Sequence, residues 1–578
     1  MQEFLQIKDN KLARTFLPTD FEITDWESIK IYYDQLMEAE PDSVEKLEKY
    51  LKKRNELDGI VSEEYAWRYI RMTCNTQDEK IKEAFQFFVK EIIPHVSVCE
   101  DKLNRKLAAN PYFNELDNNL YLTYTRQVKR AIEMFREANI PLSTEVQSLS
   151  QEYGSTMGAM TIEHEGKELT LQQAGKYMEN RDQSVREEVW KKLAKRRSQD
   201  SEKLQELFDK LLQRRNQMAK NTGYDSYTRY KFDKMGRFDY QPADTKDFHN
   251  AVEKVVKPIY QELLQERRRL LGLSELRPWD LSVDIFGEVP LKPFEGADQL
   301  LERSVEALTH VQEELGEMIR IMDKKGFLDL DSRVGKAPGG YNYPLMETGI
   351  PFIFMNAAGT QTDVITMLHE SGHAVHSFVT RNISLNALKQ PPSEVAELAS
   401  MSMELLCLDY YDAFYKDPTS LIRAKKGQLV RCITIFPWVA TIDAFQQWLY
   451  DNPEHTHEER NAAFDELYIR FHGETVNWEG FEDIRRNLWL KQMHIFEVPF
   501  YYIEYAIAQL GALAVWRNFK QDPKGGLEQY LSALKLGYTR TIPEIYKEAG
   551  IRFDFSEDYM REAVEFCLKE YQDLSVVN

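Results

Sequence analysis

Apolar residues recur three and four positions apart, among Glu, Lys and Arg, through most of the chain. Ser43 to Leu57, Asp182 to Met218 and Ala297 to Met322 show this most clearly. The spacing lines one face of an α-helix with apolar side chains, so the pattern predicts a mostly α protein. Charge runs within these stretches, such as Lys191 to Arg197, read as solvated helix faces. No internal repeat and no low-complexity linker marks a domain boundary.

One segment departs from the helical period. Gly335 to Gly359 carries Pro338, Gly339, Gly340, Pro344, Gly349 and Pro351. Within it, Pro351-Phe-Ile-Phe-Met-Asn356 is a short apolar run between breakers, which predicts a strand. Pro351 has no N–H for a ladder, which predicts a position at a sheet edge. The segment is either a surface loop with a structural strand or a small sheet placed beside the motif that follows it.

That motif is Thr360-Gln-Thr-Asp-Val-Ile-Thr-Met-Leu-His369-Glu370-Ser-Gly-His373-Ala-Val-His376-Ser-Phe. Thr360 and Asp363 form the pattern of a capping box that opens a helix. Val364, Ile365, Met367, Leu368, Ala374, Val375 and Phe378 surround the polar residues on several sides. The helix is therefore expected to be buried, and buried His and Glu side chains need partners. His369 and His373, four apart, share a face and can point at one metal ion. Imidazole nitrogen suits zinc, and Glu370, one step round the helix, can activate a water without binding the metal. Gly372 weakens a helix by roughly 1 kcal/mol against Ala, which suggests a close approach there. His376 is badly offset for a third ligand and reads as packing or as support for the site.

A catalytic zinc takes three protein ligands and keeps one position open. After Pro391-Pro392, Ser393 is a good N-cap for a second helix carrying Glu394, Glu397 and Glu404. Glu397 lies among Val395, Ala396, Leu398 and Ala399 and is the favoured third ligand. Glu394 sits in the first turn, where a carboxylate suits the helix dipole. Glu404, seven residues beyond Glu397, either accepts a hydrogen bond from a ligand imidazole or is an ordinary solvated Glu. His455 and His457 read as a solvated loop or helix cap.

Composition adds boundaries. The 578 residues suffice for three or four domains or one large helical body. Hydrophobic residues make up 43% and charged residues 29%, and 30 Phe, 30 Tyr and 9 Trp supply core material, so disorder is not indicated. A net charge of −20 argues against a nucleic-acid partner. It either keeps the protein soluble or marks an acidic cavity favouring cationic peptides. No apolar run reaches the ~18 residues of a membrane span. The start, Met1-Gln-Glu-Phe-Leu-Gln-Ile-Lys-Asp, does not resemble a secretory signal. Cys74, Cys99, Cys407, Cys432 and Cys567 are widely spaced and read as reduced thiols of a cytoplasmic protein.

At these residues the sequence resembles the thimet oligopeptidase and oligoendopeptidase F family of zinc peptidases, with the bacterial oligoendopeptidase F branch closer. The resemblance rests on His369-Glu-Ser-Gly-His373 and Val395-Ala-Glu397-Leu-Ala-Ser400, on Ala337-Pro-Gly-Gly-Tyr-Asn-Tyr and the 351–356 run, and on His494-Ile-Phe-Glu-Val-Pro-Phe-Tyr501-Tyr502-Ile-Glu-Tyr505-Ala. It implies a two-lobed helical ellipsoid with a deep substrate channel and a small β-sheet next to the zinc helix. It implies an N-terminal helical lobe over 1–165 and a peptidase region over 166–578, the lobes interleaved in chain order. It implies one zinc per chain, held by His369, His373 and Glu397, and short peptide substrates whose backbone pairs with the 351–356 strand. No membrane partner is expected. His494, Tyr502 and Tyr505 are expected to face the scissile carbonyl. Longer members carry a Gly-rich loop before the catalytic tyrosine, whereas no Gly lies between His494 and Tyr501 here. The correspondence needs a one-residue gap, and Tyr501 can take the place of Tyr502.

The implied chemistry is attack by a zinc-activated water, with Glu370 as general base and Tyr505, then His494, stabilising the oxyanion. A related zinc exopeptidase, such as a dipeptidyl carboxypeptidase, shares this chemistry. A non-catalytic peptide-binding protein is the remaining alternative.

Overall fold

Helices carry most of the chain, and side chains at their ends explain where they begin. The computed structural model describes residues 14–574 apart from 288, 334 and 338; Pro338 and the chain start Met1 to Asp9 therefore lie outside the described residues. Helix α1 (Val44–Cys74) opens where the Ser43 hydroxyl accepts a hydrogen bond from the Lys46 N–H. Its buried face, Leu47, Tyr50, Leu51, Leu57 and Ile60, keeps the three-and-four spacing.

Two periodic stretches each make two helices. Asp182 to Met218 divides at Asp200 into Gln183–Gln199 and Ser201–Thr222. Ala297 to Met322 divides at Gln312, whose backbone is extended, into Gly296–Val311 and Glu313–Lys324. Neither junction holds a Gly or Pro. At the second, packing supplies the reason: a Cβ on Gly316 would stand 3.0 Å from the Val305 carbonyl, so the second helix folds tightly back on the first.

Strands are few. β1 (Thr161–His164) and β2 (Lys167–Thr170) form an antiparallel hairpin turned by Glu165 and Gly166, both at positive φ, as a tight two-residue turn requires. β3 (Leu328–Asp331), β4 (Tyr341–Tyr343) and β5 (Phe352–Ala357) form a sheet in the order β3-β5-β4, with β3 parallel and β4 antiparallel to β5. This corrects the edge position expected for the 351–356 run. β5 begins at Phe352, so the missing N–H of Pro351 interrupts no ladder, and Phe352 to Met355 are all buried. A run that is apolar on both faces belongs in the middle of a sheet. The sheet packs on α1 through Ala66, Ile70, Leu345, Phe352 and Phe354.

Two further helices matter for the site, α2 (Gln361–Thr380) and α3 (Ser393–Leu406). The chain forms two compact units. One comprises Met1–Phe135, Leu291–Ala424 and Gly511–Phe553; the other comprises Arg136–Pro290, Lys425–Leu510 and Asp554–Asn578. The first holds β3 to β5, α2 and α3. The second holds β1 and β2 and a core including Ile162, Met178, Val189, Leu193 and Trp279. The helix Pro418–Asp451 is long and apolar enough to cross a membrane, but 67% of its most apolar window is buried inside the structure, as in a core helix. Cys407, Cys432 and Cys567 are buried, and none of the five cysteines forms a disulfide.

Candidate metal centre

The start of α2 follows the capping pattern of its sequence. The Asp363 carboxylate accepts from the N–H groups of Thr360 at 2.8 Å and Ala358 at 2.9 Å, and the Asp363 N–H donates to the Thr360 hydroxyl at 3.3 Å. The start of α3 does not. Pro392 holds the cap position expected for Ser393, no side chain caps the helix, and the Pro392 carbonyl accepts from Val395 and Ala396 instead. The fixed φ of proline already sets the entry of the chain into the first turn.

Gly372 explains how α2 and α3 come together. A Cβ there would lie 2.6 Å from the Ser400 Cα and 2.7 Å from the Ala399 carbonyl oxygen. Both atoms are backbone and cannot turn aside, so α3 is the close neighbour that the glycine implied. Gly372→Ala is expected to force the helices apart, costing roughly 1–3 kcal/mol or more. Thermal melting should show a lower Tm and metal analysis a loss of bound metal; unchanged values of both would refute this account of the glycine.

This approach brings the side chains together. Glu397 Oε2 stands 3.2 Å from His369 Nε2 and 3.8 Å from His373 Nε2. One donor atom from each of the three residues lies within 4.8 Å of the others, a set able to hold a metal ion. Glu404, two turns along α3, is buried with Oε1 2.7 Å from His369 Nδ1. It accepts the Nδ1 proton and leaves Nε2 for the centre, so the solvated alternative for Glu404 is excluded. Glu394 is also buried, but it lies outside the cluster, and its carbonyl accepts from the Tyr546 hydroxyl.

Electrostatics show what the cluster asks for. Burial disfavours charge on His369, but Glu397 and Glu404 outweigh it and hold its pKa well above the ordinary value. Burial pushes His373 down to about 4 against the pull of Glu397. Two carboxylates converging on partly buried imidazoles favour a cation, and two imidazoles with a carboxylate are a donor set suited to zinc. Glu370 is buried and its carboxyl is raised to about 7, chiefly by burial, with His369 opposing and Glu397 and Glu404 adding. Among the described residues, its Oε2 has no hydrogen-bond partner. A buried carboxylate oxygen without a partner is expensive unless a water or ligand reaches it. The Asn342 amide of β4 donates to the Glu370 carbonyl at 3.3 Å, so β4 borders the site.

Other histidines stand apart. His376 is buried and held down to about 3 by burial. His455 accepts from Arg460 at 2.8 Å, and His457 pairs with Asp209 at 2.7 Å, so both support the start of the helix His457–His472.

The later aromatic run forms its own cluster in the second unit. The His494 ring lies 4.7 Å from Tyr502, 5.9 Å from Tyr505 and 6.2 Å from Tyr501, centroid to centroid. The Gln492 amide donates to His494 Nδ1 at 2.7 Å and accepts from Trp438 Nε1 at 2.9 Å. The missing glycine of this loop has a structural counterpart. Phe500 takes φ 66°, a left-handed conformation that usually selects glycine. Its N–H donates to Gln446 at 2.8 Å, and its carbonyl accepts from Arg237, which also pairs with Glu504 at 2.8 Å. Arg237 gave no signal in the sequence, because it meets this loop only through the fold.

Comparison with known proteins bears on this arrangement. Residues 176–565 match the profile of Peptidase family M3, and residues 16–135 match the Peptidase M3 N-terminal domain. An oligoendopeptidase F of Lactococcus lactis subsp. cremoris is 22% identical over 55% of this chain and 52% of its own length. Oligopeptidase PepF of Bacillus subtilis is 23% identical over 58% of this chain and 50% of its own. The chain thus aligns with about half the length of these curated relatives. The solved structure of PZ peptidase A with an inhibitor superposes with a TM-score of 0.90 at 25% identity, covering 96% of this chain and 98% of that one. Oligoendopeptidase F from Enterococcus faecium gives 0.65 at 18% identity, covering 95% and 97%.

Proposed function

The chain belongs to peptidase family M3, and from that premise we propose that it is a zinc-dependent oligoendopeptidase hydrolysing internal bonds of short, unstructured peptides. The observation that carries the reading is the convergence of His369, His373 and Glu397 beside the partnerless oxygen of Glu370. His369 Nε2, His373 Nε2 and a Glu397 oxygen would hold the ion. Zinc there would lower the pKa of water and polarise the peptide carbonyl. Glu404 keeps the His369 proton on Nδ1. Glu370 takes a proton from the water whose oxygen bonds to the carbonyl carbon. It passes that proton to the amine nitrogen as the C–N bond breaks.

Because β5 is paired on both sides, the backbone-pairing role moves to β4. No other strand among the described residues pairs with its outer edge. A peptide must be extended to add there, which favours unfolded substrates. The oxyanion donors proposed from the sequence resemblance are Tyr505, then His494 and Tyr502. Tyr505→Phe is expected to lower kcat by roughly 10²-fold with a smaller change in KM, as loss of a donor used in the transition state requires. Steady-state kinetics check this, and an equal loss in Tyr502→Phe alone would move the role.

A peptide of about ten residues, acetylated and amidated at its ends, tests the whole reading with mass spectrometry of its products. Internal cleavage that stops with chelator and returns with zinc is expected. Cleavage only after the ends are freed would indicate an exopeptidase, and turnover unaffected by chelator would refute the metal.

A further inference from the structure

Aromatic rings form two rows across one face of the sheet that borders the metal centre. Tyr341 of β4 stands opposite Phe354 of β5, and Tyr343 stands opposite Phe352. The Tyr341 and Phe354 rings stack, with 4.8 Å between centroids and 4° between planes. Helix α1 lies over this face. Its Tyr69 ring comes within 5.6 Å of Tyr341 and 5.8 Å of Tyr343, and its Thr73 hydroxyl shares a hydrogen bond of 2.6 Å with the Tyr341 hydroxyl. Asn342, between the two tyrosines, points the other way, and its amide reaches the Glu370 carbonyl on α2. β4 thus follows the pleat, with aromatic side chains toward α1 and a polar one toward the helix that carries His369 and His373.

Both rows stop at β4. Phe352 and Phe354 are buried, whereas Tyr341 and Tyr343 are only half-buried. Tyr69 is half-buried as well. Among the described residues no strand lies beyond β4 to continue the rows. A strand added at that edge, parallel or antiparallel, sets its side chains alternately on the two faces. Residues directly opposite Tyr341 and Tyr343 would bring their Cβ atoms within about 4.5–5.5 Å of those of the tyrosines. The residue between them falls on the Asn342 side, facing α2.

We propose that Tyr341 and Tyr343, backed by Tyr69, are specificity-determining residues that select peptides with aromatic side chains two positions apart. The proposal rests on the peptidase reading above, in which β4 takes the substrate backbone, and it adds which side chains are preferred. An aromatic residue at each of the two positions extends a row by one ring, and aromatic pairs attract beyond the area they bury. Two adjacent aromatic residues cannot extend both rows, because one of them is turned to the other face.

Spacing separates this effect from hydrophobicity. Two short peptides, acetylated and amidated, are made from the same residues, two Phe in a host of Ala, Ser and Gln. One carries Phe at i and i+2, the other at i and i+1. Binding is read without turnover on the full-length, zinc-loaded Glu370→Gln protein by titration calorimetry. The i, i+2 peptide should bind about 5-fold more tightly, the scale of one further aromatic pair. Tyr343→Thr removes the ring and keeps a residue suited to a strand; there the ratio should fall below about 2-fold, through weaker binding of the i, i+2 peptide alone. Tyr343→Phe should keep the preference, and Tyr69→Leu, on the other element, should reduce it. Metal content equal to the parent's checks that the centre is intact in each variant. Equal binding of the two peptides, or a ratio unchanged in both Tyr343→Thr and Tyr69→Leu, would overturn the proposal. Cleavage of both peptides by the parent enzyme with equal kcat/KM would overturn the selection alone and leave the peptidase reading standing; cleavage of neither would overturn both.

Discussion

Glu370→Gln is expected to retain its metal and lose roughly 10²–10⁴-fold in kcat, the range supplied by a positioned general base. The side chain lies one position from His369 yet outside the donor set, so its removal should leave the ligands in place. Glutamine keeps the volume and one carbonyl oxygen but cannot take the water proton. Because Oε2 has no partner among the described residues, the substitution breaks no hydrogen bond at that atom, and the fold should survive. Metal analysis beside turnover of a quenched peptide separates the two effects. Stoichiometric metal with parental turnover would sink the role of Glu370; loss of metal would make the residue part of the binding set.

The second large effect is expected at Glu397. Glu397→Ala should lower metal affinity more than 100-fold, while Glu394→Ala should leave it nearly unchanged. Both carboxylates are buried on α3, three residues apart, so burial does not distinguish them. Direction does: an oxygen of Glu397 reaches 3.2 Å from His369 Nε2, and Glu394 lies outside the converging set. Glu404→Ala should fall between them, at roughly 10–100-fold, the usual cost of losing a partner that orients a ligand imidazole. Dialysis against graded chelator followed by metal analysis ranks the three. The reverse order for Glu397 and Glu394 would transfer the ligand role.

Much of this was legible along the chain because it is local. The period of apolar residues reports helices, and the four-residue step of His369 and His373 puts both rings on one face whatever surrounds them. The Thr360 capping box is likewise settled within four residues. Gly372 announced a close neighbour but not which one. The turns at Asp200 and Gln312 left no breaker to read, and a continuous period cannot show where a helix folds back.

What only the tertiary structure decided are meetings between distant segments. The apolar run of β5 is the same string at an edge or in the centre; β3 and β4, paired on either side, place it in the centre. Glu404 is a solvated glutamate or an imidazole partner according to how closely α3 lies on α2, and that distance is set by the absent side chain at Gly372. The left-handed backbone of Phe500 is held by Gln446 and Arg237, each more than 50 positions away. In each case the sequence specifies the donor, the charge or the apolar surface. Its partner is specified by packing, because hydrogen bonds and ion pairs act over about 3–4 Å in space and are indifferent to separation along the chain.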